Sequence, residues 1–207
     1  MTTAIIDYGM GNLGSLSRAL QKFTTDFIIS DDPEVILNSN RIILPGVGGF
    51  PVGMQNLKDR RLDIAIKKFA LDMQKPVLGI CLGMQLLASS STEEGKTNGL
   101  NLIEGKVERL SSFGCSLRLP HIGWNSLEDI SRDSKILDGI PNQTDVYFVH
   151  SFAYRLSNEA HCSSFTNYGI DFPSTIKNEN IFGTQYHPEK SSKAGMKILN
   201  NFLSIYA

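Results

Sequence analysis

The chain has 207 residues, 41% hydrophobic and 20% charged, with 20 Lys and Arg against 21 Asp and Glu for a net charge of −1. This size and balance predict one compact domain over 1–207; they exclude intrinsic disorder and the cationic excess that draws a protein to nucleic acid regardless of sequence. Apolar runs such as Val77 to Ile80 fall far short of the roughly 20 residues of a bilayer span, so no membrane partner is expected.

The first half alternates short apolar runs with amphipathic stretches. Ala4 to Asp7 reads as a strand, and Leu13 to Phe23 as a helix with Leu13, Leu16, Ala19, Leu20 and Phe23 on one face. Phe27 to Ile29 is a second strand, and Asp32-Pro33-Glu34 starts a helix, with Asp as cap and Pro in the first turn. Arg41 to Leu44 is a third strand, ended by Pro45-Gly46, and Leu62 to Met73 is a helix. Pro76 to Ile80 is a fourth strand, followed by a helix over Leu82 to Ala88. Such alternation predicts an α/β fold, a three-layer, mostly parallel sheet flanked by helices. In the second half, Lys106 to Leu110, Asp145 to Val149, Cys162 to Phe165, Ser174 to Lys177 and Ile181 to Tyr186 read as extra antiparallel strands, and Lys193 to Tyr206 as a closing helix.

Met1-Thr2-Thr3 carries no basic residue and Asp7 interrupts the first apolar run, so no export signal is expected. A cytoplasmic, reducing compartment follows, in which the widely spaced Cys81, Cys115 and Cys162 are free thiols. No His or Cys pair has metal-ligand spacing, so neither a metal nor a cofactor is expected.

Gly9-Met10-Gly11-Asn12-Leu13-Gly14 fits G-x-G-x-x-G between a strand and a helix, with Asp31 and Asp32 downstream, which keeps a dinucleotide-binding oxidoreductase as an alternative. Against it, Asp7 and Tyr8 stand where that fingerprint has an apolar strand end, and the remaining motifs point to acyl chemistry.

Gly79-Ile80-Cys81-Leu82-Gly83 has the strand, Gly-x-Cys-x-Gly, helix form of a nucleophile elbow. A sharp turn there requires small residues two before and two after the nucleophile. The helix N-terminus favours a thiolate, and the Leu82 N–H is placed to donate to an oxyanion. Cys115 and Cys162 lack such glycines and read as structural thiols. A thiolate needs a base that later returns the proton. His187, just past a strand and followed by Pro188 and Glu189, supplies one, and Glu189 can orient the ring. His121 and His150 read as hydrogen-bonded structural or site-rim residues, and His161 as a surface residue. The glycine loop Leu44 to Phe50 lacks the Gly-Lys-Ser/Thr of a P-loop and can offer a second oxyanion donor.

Gly79-Ile80-Cys81-Leu82-Gly83-Met84-Gln85 with His187-Pro188-Glu189 resembles the class I triad glutamine amidotransferases. Asp7 to Asn12, Pro45 to Gly48, Pro120 to Asn125, Tyr147 to Phe152 and Gln185 to Ser191 narrow the resemblance to the family of glutaminase subunits of imidazole glycerol phosphate synthase. The resemblance implies L-glutamine as substrate and a glutamyl thioester on Cys81. It implies an oxyanion hole from Leu82 and the Val47–Gly48 backbone, and substrate contacts from Gln85 and the backbone around Ser151 and Phe152. The glutaminase motifs span residues 7 to 191, which predicts a separate synthase chain to use the ammonia; in the family this is a (β/α)8-barrel cyclase, with Asn12, Trp124 and Lys190 near the interface. A core position for Trp124 is the alternative. Gly14 departs from the family's arginine and resembles paralogues serving nucleotide-sugar amidination in surface polysaccharide synthesis, which leaves that acceptor open. Two further readings are a hydrolase of another amide that needs no partner and a silent scaffold.

Overall fold

The computed structural model describes residues 1–24 and 26–205. In chain order its regular elements are β1 (Thr3–Ile6), α1 (Leu13–Leu20), β2 (Phe27–Ser30), α2 (Pro33–Asn38), β3 (Arg41–Leu44), α3 (Phe50–Asp59), α4 (Leu62–Lys67), β4 (Val77–Ile80), α5 (Leu82–Leu86) and the short pair β5 (Ser90–Ser91) and β6 (Thr97–Asn98). Then come β7 (Gly105–Arg109), β8 (His121–Leu127), β9 (Thr144–His150), β10 (Phe152–Leu156), β11 (Cys162–Asn167), β12 (Asp171–Asn178), β13 (Ile181–Thr184) and α6 (Ser192–Leu203).

A seven-stranded sheet in the order β11-β12-β13-β4-β3-β1-β2 forms the middle layer. Its strands β13, β4, β3, β1 and β2 run parallel, and β12 and β11 continue it antiparallel. Parallel strands must be covered on both faces, and their side chains alternate accordingly. Ala4 and Ile6, Ile42 and Leu44, and Val77 face the core under α2 to α5. Ile5, Ile43, Leu78 and Ile80 face the core under α1, α6 and the β8–β9 hairpin. The carboxyl ends of β3, β4 and β13 open at one edge, where open α/β sheets carry their sites.

Several expectations are corrected. Ile181–Thr184 is antiparallel only to β12; it joins β4 in parallel, which brings the His187 segment beside Cys81. β7 and β9 lie outside the main sheet, β7 with β10, β5 and β6, and β9 paired with β8. The helix expected over Leu62 to Met73 is α-helical only to Lys67 and passes into a π-turn over Lys68–Asp72. The first helix ends at Leu20, and the expected end of the last at Tyr206 lies outside the described residues. α3 was not expected: the sequence reading ends its glycine loop at Phe50 and assigns no element before Leu62, yet Phe50, Met54 and Leu57 bury one helical face.

Candidate active site

Cys81 stands between β4 and α5 with φ 54° and ψ −109°, a conformation a non-glycine residue keeps only when its surroundings impose it. Three close approaches impose it. The Cys81 N–H donates to the Thr184 carbonyl at 2.7 Å. A Cβ on Gly79 would stand 2.6 Å from the Gly83 carbonyl oxygen, and one on Gly83 would run into the Leu44 carbonyl oxygen. β3, β4 and α5 thus meet backbone to backbone under the sulfur. Gly83→Ala is expected to lower folding stability by about 3 kcal/mol or more, because backbone rather than a flexible side chain must move. Urea unfolding checks this, and an unchanged midpoint would contradict the packing.

Sheet register explains how residues so far apart in sequence meet. Thr184 lies opposite Ile80, so the residues that follow, Gln185 and Cys81, stand side by side. Two residues on, the His187 N–H donates to the Tyr147 carbonyl at 2.9 Å, while the Ser191 hydroxyl donates to the His187 carbonyl at 2.7 Å. His187 Nδ1–H donates to Glu189 Oε1 at 2.8 Å, with both side chains at most 4% exposed. Nε2 is then the nitrogen left for Cys81; it is buried and makes no hydrogen bond in this geometry. Burial pushes the His187 imidazolium down, but the neighbouring Cys81 and Glu189 together raise it by more, to about 9. At neutral pH the ring therefore holds a proton it can give to a leaving group.

The sulfur looks into a cleft of about 470 Å³ lined by Val47, Gly48, Leu82, Gln85, Glu93, Pro120, Val149, His150, Ser151, Phe152 and Lys190. Gln85 Nε2 donates to the Phe152 carbonyl at 2.9 Å and to Gln185 Oε1 at 3.0 Å, which leaves Gln85 Oε1 as the group it can offer to the cleft. The Ser151 carbonyl is taken by the Leu110 N–H at 2.9 Å.

The oxyanion hole is not assembled in this geometry: the backbone N–H groups of Leu82 and Val47 are both engaged elsewhere. The Leu82 N–H donates to the Gly46 carbonyl at 3.3 Å, and the Val47 N–H points the other way, to the Met10 carbonyl at 3.1 Å. The Gly46–Val47 peptide thus aims its oxygen, not its N–H, at the start of α5. A helix N-terminus has unpaired N–H groups, and here the nearest carbonyl satisfies one. Gly48, at φ 117°, is in the region that favours glycine.

The dinucleotide reading fails on packing. A Cβ on Gly11 would stand 3.2 Å from Pro45, and the Asn12 side chain caps α1 by accepting the Ser15 N–H at 3.2 Å, so the loop closes on protein. His121 and His150 are hydrogen-bonded to each other at 3.0 Å, and burial lowers them to about 4 and about 3 respectively; His150 lines the cleft. Cys115 is buried, and burial pushes the Cys162 thiol up to about 12. His161 is half-buried rather than on the surface. Asn12 and Lys190 are exposed, and Trp124 is 54% exposed, which removes the core alternative for it. Trp124 packs edge-on to the Tyr147 ring at 6.2 Å, and Lys190 Nζ sits 5.8 Å from the centre of the same ring.

Three residues of the site escaped the sequence reading. Glu93, which accepts the Phe50 N–H at 2.8 Å, carries no local signal. The Tyr8 hydroxyl is buried without a partner against Gly46, and burial, then Cys81, push its ionisation far above the usual tyrosine range. Gln185 reaches the sulfur itself, at 3.8 Å. Among the described residues no cluster of His, Cys, Asp or Glu could hold a metal ion, and no helix is long and apolar enough to cross a membrane.

A strained cysteine beside a histidine–carboxylate pair, at the carboxyl edge of a parallel sheet, defines a thiol amidase or acyltransferase of the triad kind. The model of the family "Glutamine amidotransferase class-I" matches residues 4–205. An imidazole glycerol phosphate synthase subunit HisH from Archaeoglobus fulgidus is 44% identical over 203 residues, 98% of each chain. The HisH 1 subunit of Methanococcus maripaludis is 41% identical over 204 residues, again 98% of each. Among solved structures, a glutamine amidotransferase superposes with TM-score 0.75 at 17% identity, covering 98% of this chain and 97% of that one. Another glutamine amidotransferase, from Thermotoga maritima, gives 0.67 at 19%, covering 100% and 82%. The chain belongs to the class-I glutamine amidotransferases, in the branch of the HisH subunits.

Proposed function

We propose that this chain is the glutaminase subunit of an imidazole glycerol phosphate synthase. It hydrolyses L-glutamine to glutamate and ammonia for a (β/α)8-barrel cyclase partner in histidine biosynthesis, in the cytoplasm. The observation that carries the chemistry is Cys81 on its strained turn beside the His187–Glu189 pair, on the wall of a cleft of amino-acid size.

The Cys81 sulfur attacks the side-chain amide carbon of glutamine. His187 gives its proton to the departing nitrogen, so ammonia leaves and a glutamyl thioester remains. His187, now neutral, takes a proton from water, which attacks the thioester; glutamate leaves and Cys81 regains the starting state. Glu189 holds the ring in the tautomer that presents Nε2. Gln85 Oε1 accepts from the substrate ammonium, and the Ser151–Phe152 backbone aligns its polar end. Turning the Gly46–Val47 peptide over frees the Leu82 N–H and adds that of Val47, which with Gly48 forms the oxyanion hole. Asn12, Trp124 and Lys190 lie at the interface with the cyclase; the exposed Trp124 and the cleft-lining Lys190 share Tyr147, so a partner seated there covers the cleft mouth.

The nucleotide-sugar alternative rests on Gly14 alone. Arg18 sets its guanidinium 3.5 Å from where a Cβ of residue 14 would stand, so a basic group remains at that place. A diazoketone analogue of glutamine, incubated with the complex, is expected to add its acyl-chain mass to the peptide containing Cys81 and to no other. Labelling elsewhere, or none with an active complex, would refute the assignment.

A further inference from the structure

We propose that Gln185 is a catalytic residue of this site: its side-chain amide donates to the Cys81 sulfur and stabilises the thiolate, in an orientation set by a polar chain running back to the Phe152 carbonyl. The inference deepens the glutaminase reading and rests on Cys81 being its nucleophile.

The direction of the Gln185 amide follows from the acceptor at the far end of the chain. The Phe152 oxygen can only accept, so Gln85 must present its NH2 there, at 2.9 Å. The other hydrogen of that NH2 then reaches Gln185 Oε1 at 3.0 Å. With its oxygen so engaged, Gln185 turns Nε2 to the Cys81 sulfur, 3.8 Å away. A second branch meets the same carbonyl. His150 presents Nδ1–H to Phe152 O at 2.8 Å, so its Nε2 accepts from His121 Nδ1–H at 3.0 Å, and His121 Nε2 accepts from Asn125 Nδ2 at 3.3 Å. Burial keeps both imidazoles neutral, so each carries the single proton this pattern needs.

Gln185 is fully buried, and its own N–H is held by the Ser174 carbonyl at 2.9 Å. A buried amide donor is costly to leave unmatched, and a thiolate is a better acceptor than a thiol. The contact therefore favours the attacking form of sulfur. It sits on the β13 side of Cys81, opposite the Gly46 loop where the oxyanion hole forms. Gln185 so acts on the sulfur and not on the tetrahedral oxygen. The titratable groups facing the sulfur are His187 and Tyr8, with His150, Glu93 and Lys190 around the cleft. All of them remain when residue 185 alone is changed.

The test follows alkylation of Cys81 by iodoacetamide against pH in the full chain, read by mass spectrometry of the Cys81 peptide so that Cys115 and Cys162 do not interfere. Gln185→Met, which keeps length and removes the donor, is expected to move the profile to higher pH by about one unit, the scale of one hydrogen bond to a charged acceptor. Gln185→Leu, which also removes the donor, moves the profile in the same direction. If the Met variant lacks a cooperative thermal transition, the Leu variant decides. Profiles that overlay the wild type, or move to lower pH, overturn the proposal. Alkylation needs no glutamine: a shifted profile in a complex that never hydrolyses glutamine would sink the glutaminase reading and leave the sulfur contact standing.

Discussion

Cys81→Ala lowers glutamine hydrolysis by the cyclase-bound complex at least about 10⁴-fold, because no other nucleophile lining the cleft stands on the strained turn beside the His187–Glu189 pair. Gln85, His150 and Glu93 line the same space but offer amide, neutral imidazole and carboxylate. Cys81→Ser falls nearly as far. A hydroxyl is a much weaker acid than a thiol, and the rise of His187 to about 9 depends in part on Cys81. Without the sulfur, burial of the ring is opposed by Glu189 alone, so the imidazole of either variant titrates lower. The loss is chemical and not a failure to fold: Cys81 contributes one small side chain to a core built mainly of Ile, Leu and Phe. Co-elution of the Cys81→Ala chain with the cyclase, together with an unchanged cooperative thermal transition, separates the two, since a misfolded chain shows neither. Glutamate release above about one hundredth of the wild-type rate would contradict the assignment of Cys81.

The legibility of this site differs from residue to residue for physical reasons. Gly79, Cys81 and Gly83 are readable because the constraint is local: a Cβ at either glycine collides with backbone whatever the rest of the chain does. His187 and Glu189 are readable because the orienting bond spans two residues around Pro188. Gln185 is not readable from spacing, since its contact with Cys81 depends on β13 lying parallel beside β4 in one register, where the sequence pattern suggests an antiparallel strand. β8 was hidden because Ile122 and Trp124 face outward, so its alternation puts apolar groups on the exposed side. The π-turn after Lys67 was hidden because one extra residue in a turn barely alters the spacing of apolar positions around Phe69 and Ala70. The orientation of the Gly46–Val47 peptide leaves no trace in composition; either orientation uses the same residues.

That orientation sets the second large effect. The isolated chain is expected to hydrolyse glutamine about 30-fold more slowly than the cyclase-bound complex, because only the small fraction of chains with the hole assembled turns over at the full rate. Here the Leu82 and Val47 N–H groups are both engaged elsewhere, at 3.3 and 3.1 Å. Freeing them breaks two backbone hydrogen bonds worth about 1 kcal/mol each, so the rotated loop is a minor population, about one part in thirty. A partner shifts that balance only by binding the rotated form more tightly, and the loop is placed for this: Val47 is 42% exposed at the cleft mouth. Gly46 is held between Tyr8 and Leu82 with no room for a side chain, so the rotation takes place without displacing one. The hole contacts only the tetrahedral oxygen, so stimulation must fall on kcat and leave KM for glutamine nearly unchanged. Steady-state glutaminase assays with and without the cyclase measure both constants. An isolated chain as fast as the complex, or stimulation confined to KM, would show that the Gly46–Val47 peptide does not control the rate.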